Sequence, residues 1–137
     1  MARRAAAVKD HRPSELQCQA TIVAAAKLAG WRVHGERAGR NRRDEWSTPI
    51  MGDRGFPDLI LVRNRMLLAI ELKRKPNGMG DGQQAWLDDL NRVPGVQAFV
   101  VWVPEQQDDL IAQLVKLGRP GPDDRLLADS AIASRRR

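Results

Sequence analysis

The chain has 137 residues, enough for one domain with a hydrophobic core of its own. Its single cysteine, Cys18, excludes an intrachain disulfide framework and a cysteine-rich zinc site, and no apolar run approaches the ~20 residues of a membrane-spanning helix. The net charge is +6, concentrated in residues 1–55, where 11 Lys/Arg face 6 Asp/Glu, and this asymmetry suits a polyanionic partner.

The N-terminal stretch meets charge before any adequate apolar run, so it does not read as a signal peptide; a soluble, cytoplasmic protein is expected. Pro13-Ser14-Glu15-Leu16-Gln17 then predicts a helix start, with Ser14 as N-cap and Gln17 closing a capping box. The helix should run to about Ala29 and stop at Gly30. Leu16, Ala20, Val23 and Lys27 share one face, with Ile22, Ala26 and Ala29 beside it, and Glu15 and Gln19 lie one turn apart next to that stripe. Trp31 to His34 alternates like a short strand.

Residues 35–55 show neither helical nor strand period. They hold Gly35, Gly39, Gly52, Gly55 and Pro49 among Arg37, Arg40, Arg42, Arg43 and Arg54. Such a basic loop can follow a phosphate backbone, and it is equally compatible with a solvated insertion.

Two nearly continuous apolar runs follow, Leu59 to Val62 and Met66 to Leu72, separated by the polar corner Arg63-Asn64-Arg65. This pattern predicts an antiparallel hairpin at the centre of a sheet, covered on both faces. A second helix start is expected at Asp81, with Gln84 as its capping-box partner, and the helix should end near Arg92. Gln83, Trp86, Leu87 and Leu90 recur at helical spacing and define its inward stripe. Residues 97–103 predict a strand, and residues 106–117 an amphipathic helix facing inward through Leu110, Ile111, Leu114 and Leu117. A short helix near 123–134 completes the expected order. The fold class is therefore α/β, a mixed sheet with a central antiparallel hairpin flanked by helices.

The hairpin carries the chemistry. A turn at Asn64-Arg65 sets Val62 opposite Leu67, and the same register sets Asp58 opposite Glu71. Directly opposed residues point to one face, and Lys73, two residues beyond Glu71, joins them. Two carboxylates and an ammonium thus converge at one end of the hairpin. Paired acids repel, and burial raises the cost; a divalent cation resolves the conflict. Read separately, Pro57-Asp58 is an ordinary strand entrance and Glu71-Leu72-Lys73 an ordinary surface ion pair. The shared register is what joins them. Gln83, heading the inward stripe of its helix, is expected to face something polar at the same end of the sheet.

Gly55-Phe56-Pro57-Asp58, then Glu71-Leu72-Lys73, then Gln83 followed by Ala85-Trp86-Leu87, resembles the PD-(D/E)xK nucleases, and within them the VRR-NUC family. The likeness spans about residues 14–103. It implies a restriction-endonuclease-like core over 14–118, with a basic arm at 1–13 and a tail at 119–137. It implies Asp58 and Glu71 as ligands of Mg²⁺ or Mn²⁺, helped by the Leu72 backbone carbonyl, with Lys73 and Gln83 completing the catalytic set. Glu15 matches the family's helix acid and is a further candidate ligand. Where the family often has Ser or Thr before the Gln helix, this chain has Gly80-Asp81-Gly82. The implied activity is endonucleolytic hydrolysis of DNA. Likeness to Holliday-junction resolvases extends this to branched DNA, and cutting a symmetric junction calls for a homodimer. Two other readings stay open: an inert DNA-binding module, and an RNase on the same core.

Overall fold

The computed structural model describes residues 9–36 and 50–118. The elements are α1 (Glu15–Leu28), β1 (Arg32–Gly35), β2 (Leu59–Arg63), β3 (Met66–Lys73), α2 (Asp81–Leu90), β4 (Val96–Trp102) and α3 (Gln107–Gly118). The four strands form one sheet in the order β1-β2-β3-β4, so the β2–β3 hairpin is central as the apolar runs predict. β1 to β3 pair antiparallel; α2 then carries the chain back so that β4 runs parallel to β3. The short helix expected near 123–134 and the loop residues Arg37, Arg40, Arg42 and Arg43 lie outside the described residues.

The hairpin register follows the prediction. Val62 pairs with Leu67 and Leu59 with Ile70, and Asn64 takes a left-handed backbone (φ 53) that lets the two-residue corner close. Strand alternation then sorts the side chains. Leu59, Leu61, Leu68, Ile70 and Leu72 face α1 and α3, where Cys18, Ile22, Ala26, Trp31, Leu110 and Leu114 complete the larger core. Ile60, Leu67 and Ala69 face α2, which covers them with Leu87 and Leu90. This second layer is thin, and Glu71 lies on it.

α1 forms where expected, with both halves of the Ser14–Gln17 capping box present. Its inward face is different. Cys18, Gln19, Ile22 and Ala26 are buried, whereas Leu16 is 43% exposed and Ala20 and Lys27 also face outward. The helix is apolar on nearly every side, so periodicity gives it no orientation. A polar residue, Gln19, sits in the packed face because its amide finds a backbone partner. In α3, Leu110 and Leu114 are buried as expected, but Leu117 turns outward and Gly118 takes the inward place. There a Cβ would lie 2.4 Å from the Ala29 carbonyl, so glycine is what lets α3 close on the end of α1. The Trp31 indole ties the same helices by donating to the Leu114 carbonyl at 2.9 Å.

β4 is an edge strand whose backbone is partly covered. The Asn91 side chain donates to the Ala98 carbonyl and accepts from its N–H, both at 2.8 Å, in the manner of a neighbouring strand.

Candidate active site

Asp58 stands one residue before β2 and just beyond the last β2–β3 pair, so strand pairing alone does not hold it. Its main chain is held by β1, where the Glu36 N–H donates to the Asp58 carbonyl at 3.2 Å. Its side chain is held by β3, where the Leu72 N–H donates to Oδ2 at 2.8 Å. Continuing the hairpin register sets Pro57 opposite Leu72. Proline has no N–H, so it cannot supply the bond that the Leu72 carbonyl would receive in a regular ladder. The neighbouring Lys73 carbonyl points the other way, accepting from Val103 N–H at 2.8 Å. The Pro57-Asp58 pair thus does two things: the aspartate takes the Leu72 N–H, and the proline leaves the Leu72 carbonyl without a ladder donor.

Glu71 is only 2% exposed. Its Oε1 accepts from Gln83 Nε2 at 2.7 Å, and Lys73 Nζ stands 3.7 Å away from the same oxygen. Its Oε2 is buried and has no hydrogen-bond partner among the described residues. Burial, and then the neighbouring Asp58 charge, push the Glu71 carboxyl up to about 7. Asp58 is raised as well, by burial, against the opposing pull of the Leu72 N–H and of Lys73. Both carboxyls therefore hold a proton more readily than a solvated acid does, even with the Lys73 ammonium beside them.

Gln83 reaches Glu71 from the first turn of α2, and this changes the expected helix start. The N-cap is Gly80, not Asp81, and Gln83 Oε1 accepts from the Gly80 N–H at 2.9 Å. Gln84, expected as the capping partner, instead donates to Asp88 Oδ1 at 2.9 Å. One amide side chain thus fastens the helix start with its oxygen and Glu71 with its nitrogen. The inward stripe of Gln83, Trp86, Leu87 and Leu90 is as predicted.

The corner before Asp58 packs directly on this helix start. Gly55 (φ +99) would place a Cβ 2.5 Å from the Gln83 nitrogen, and a Cβ on Gly82 would lie 2.7 Å from the Arg54 carbonyl. Trp86 adds an indole donor to the Asp53 carbonyl at 3.2 Å and an edge-on contact with Phe56, with ring centroids 5.0 Å apart. Within Gly80-Asp81-Gly82, it is Gly82 that this backbone-to-backbone contact requires. In a helix, Gly82→Ala should stabilise by up to about 1 kcal/mol on propensity alone. The contact predicts the opposite sign, a loss of about 1–3 kcal/mol measured by urea unfolding.

Glu15 is the first residue of α1, with its carboxyl raised by partial burial and by Asp58. Among the described residues, no three His, Cys, Asp or Glu side chains group closely enough to cage a metal on their own, so Glu15 adds negative potential to the Asp58–Glu71 pair without completing such a cage. The helix start is anchored from outside the core: Arg74 donates to the Pro13 carbonyl at 3.0 Å and to Asp10 at 2.6 Å, and Arg12 bonds the same carboxylate. Arg54 is exposed on the loop that leads into the Gly55 corner.

Sequence reasoning missed Glu36, the Gly55–Gly82 contact and the Asp10–Arg74 clasp, and it placed Gln19 on α1 beside Glu15 without giving it a role.

The mixed sheet with flanking helices resembles a solved structure described as a VRR-NUC domain protein, with a TM-score of 0.53 and 22% identity over 77% of this chain and 91% of that one. Residues 50–105 match the family model of the VRR-NUC domain, which bears out the resemblance drawn from the motifs. The matched stretch contains Asp58, Glu71, Lys73 and Gln83, while Glu15 and Gln19 lie before it. No curated protein matches. No helix among the described residues is long and apolar enough to cross a membrane.

Proposed function

We propose that this protein is a metal-dependent endonuclease that hydrolyses DNA phosphodiesters at the Asp58–Glu71–Lys73 end of its central hairpin. The observation that carries this reading is Glu71: a buried acid with one oxygen fixed by Gln83, the other without a partner, and a second acid beside it.

The donor set fits Mg²⁺ or Mn²⁺. Asp58, Glu71 and the Leu72 carbonyl offer hard oxygen atoms, and such ions take one or two carboxylates and leave further positions to water and substrate phosphate. The single cysteine, Cys18, is packed in the core, so no thiolate joins this set. When bound, the cation would lower the pKa of a water nucleophile and neutralise charge on the phosphate.

The protein's own groups do the remaining work. Gln83 keeps Glu71 Oε1 occupied, so that Oε2 is the oxygen free to act. The Leu72 N–H holds Asp58 in one orientation. Lys73, the cation nearest these acids, is placed to orient the attacking water and to stabilise negative charge on the phosphoryl oxygens. In the reaction a water oxygen bonds to phosphorus, one P–O ester bond breaks, and the water's proton ends on the leaving oxygen. The basic residues Arg37, Arg40, Arg42, Arg43 and Arg54 supply the sequence-independent attraction for the DNA backbone.

The test is cleavage of labelled duplex, flap, four-way junction and RNA substrates with Mg²⁺, Mn²⁺ or chelator. Metal-dependent DNA cleavage supports the proposal. DNA binding without cleavage makes the chain a binding module, and cleavage confined to RNA makes it an RNase. Branched-substrate specificity of the resolvase kind further requires a dimer, so paired cuts in a junction should accompany a dimeric elution profile.

A further inference from the structure

One group that bonds the segment against Asp58 lies outside the family's matched stretch, on α1. Gln19 is 5% exposed and donates from Nε2 to the Glu36 carbonyl at 2.8 Å. Glu36 follows directly on β1, one position beyond the pair of Gly35 with Leu59, so it sits at the open end of the β1–β2 register with no further strand pairing beyond it. The Glu36 N–H is the group that holds the Asp58 carbonyl. A continuous path therefore runs from the Gln19 amide through the Glu36 peptide to the Asp58 main chain. Gly35 makes room for it, since a Cβ there would stand 3.3 Å from Gln19 Nε2 and 2.6 Å from the Leu59 side chain.

As core filling, Gln19 is a poor choice. Its Oε1 is buried without a hydrogen-bond partner among the described residues, a defect that methionine, similar in length and apolar, would not have. We infer that Gln19 is a positioning residue, which clamps the end of β1 so that Asp58 is held between β1 and β3 at the mouth of the proposed metal site. The inference about backbone order stands on the hydrogen-bond path alone; its consequence for metal affinity rests on the reading above.

Hydrogen exchange followed by NMR, without metal, tests the first part. In the wild type the Gln19 side-chain amide protons should exchange slowly; fast exchange would overturn the inference without any variant. Gln19→Met should speed exchange of the Glu36 amide about tenfold or more. The control Ile22→Val loosens the same helix without touching the path and should leave that amide protected. Equal exchange in the two variants contradicts the positioning role. Mn²⁺ titration by calorimetry tests the second part. Gln19→Met should weaken binding on the order of tenfold, as loss of a group behind a metal ligand commonly does, and Ile22→Val should not. An unchanged affinity in Gln19→Met overturns the link to the site. If the wild type binds no Mn²⁺, the metal-site reading fails and so does that link, while the exchange result still decides the clamp.

Discussion

Replacing Lys73 with alanine is expected to lower the rate of DNA cleavage by about 10²- to 10³-fold, the scale seen when one preorganised charge-stabilising group is removed. The fold should survive. Lys73 lies at the end of β3 with its side chain half-buried beside Glu71, and it fills no part of the larger core. The two acids it faces can answer its loss by holding their protons more tightly, because Lys73 is a charge that lowers both. Single-turnover cleavage with saturating Mn²⁺ reads the chemical step, and circular dichroism checks the fold. Cleavage by Lys73→Ala at the wild-type rate would remove Lys73 from the mechanism.

Glu71→Gln is expected to abolish cleavage and also to stabilise the metal-free protein. The sign follows from the proton. The folded state holds the Glu71 carboxyl up to about 7, against an ordinary value of 4.5, because the group is buried next to Asp58. Between those two values the folded protein keeps a proton that the unfolded chain has released. Stability therefore falls as pH rises through this window and levels off above it. The full loss is on the order of 3 kcal/mol at 1.36 kcal/mol per unit. Glutamine has no such proton to lose, and its amide can accept from Gln83 while donating toward Asp58. The variant should match the wild type near pH 4.5 and exceed it by about 2–3 kcal/mol at pH 8. Urea unfolding from pH 4.5 to 8 measures this, and a parallel decline in both proteins would contradict it. Adding Mn²⁺ should raise wild-type stability and leave Glu71→Gln nearly unchanged, since only the native site binds the ion.

Which parts of this site could be read beforehand follows from how each is encoded. The hairpin register was legible because two apolar runs flank a short polar corner, and a strand period of two leaves little freedom in pairing. Asp58, Glu71 and Lys73 could then be placed together by counting. Gln83 was legible because it heads a clean helical stripe. The orientation of α1 was not, since a helix rich in Ala, Ile, Leu and Val shows no polar side and its one buried amide donates to a backbone carbonyl 17 residues away. The α2 cap was misplaced by one residue because Asp81 is the better N-cap by side chain, while Gly80 is the one whose N–H Gln83 can reach. The approach of Gly55 to Gly82 involves backbone atoms alone, and such contacts leave no pattern beyond the glycines themselves.

The most direct test of the metal site is a titration of the ¹⁵N-labelled wild type with trace Mn²⁺, following paramagnetic broadening of each amide signal. The account predicts that Asp58, Leu72, Lys73 and Gln83 broaden first and that Glu71→Gln removes the effect. Broadening centred elsewhere, for example on the exposed Asp108-Asp109 pair that opens α3, or no selective broadening, would contradict it.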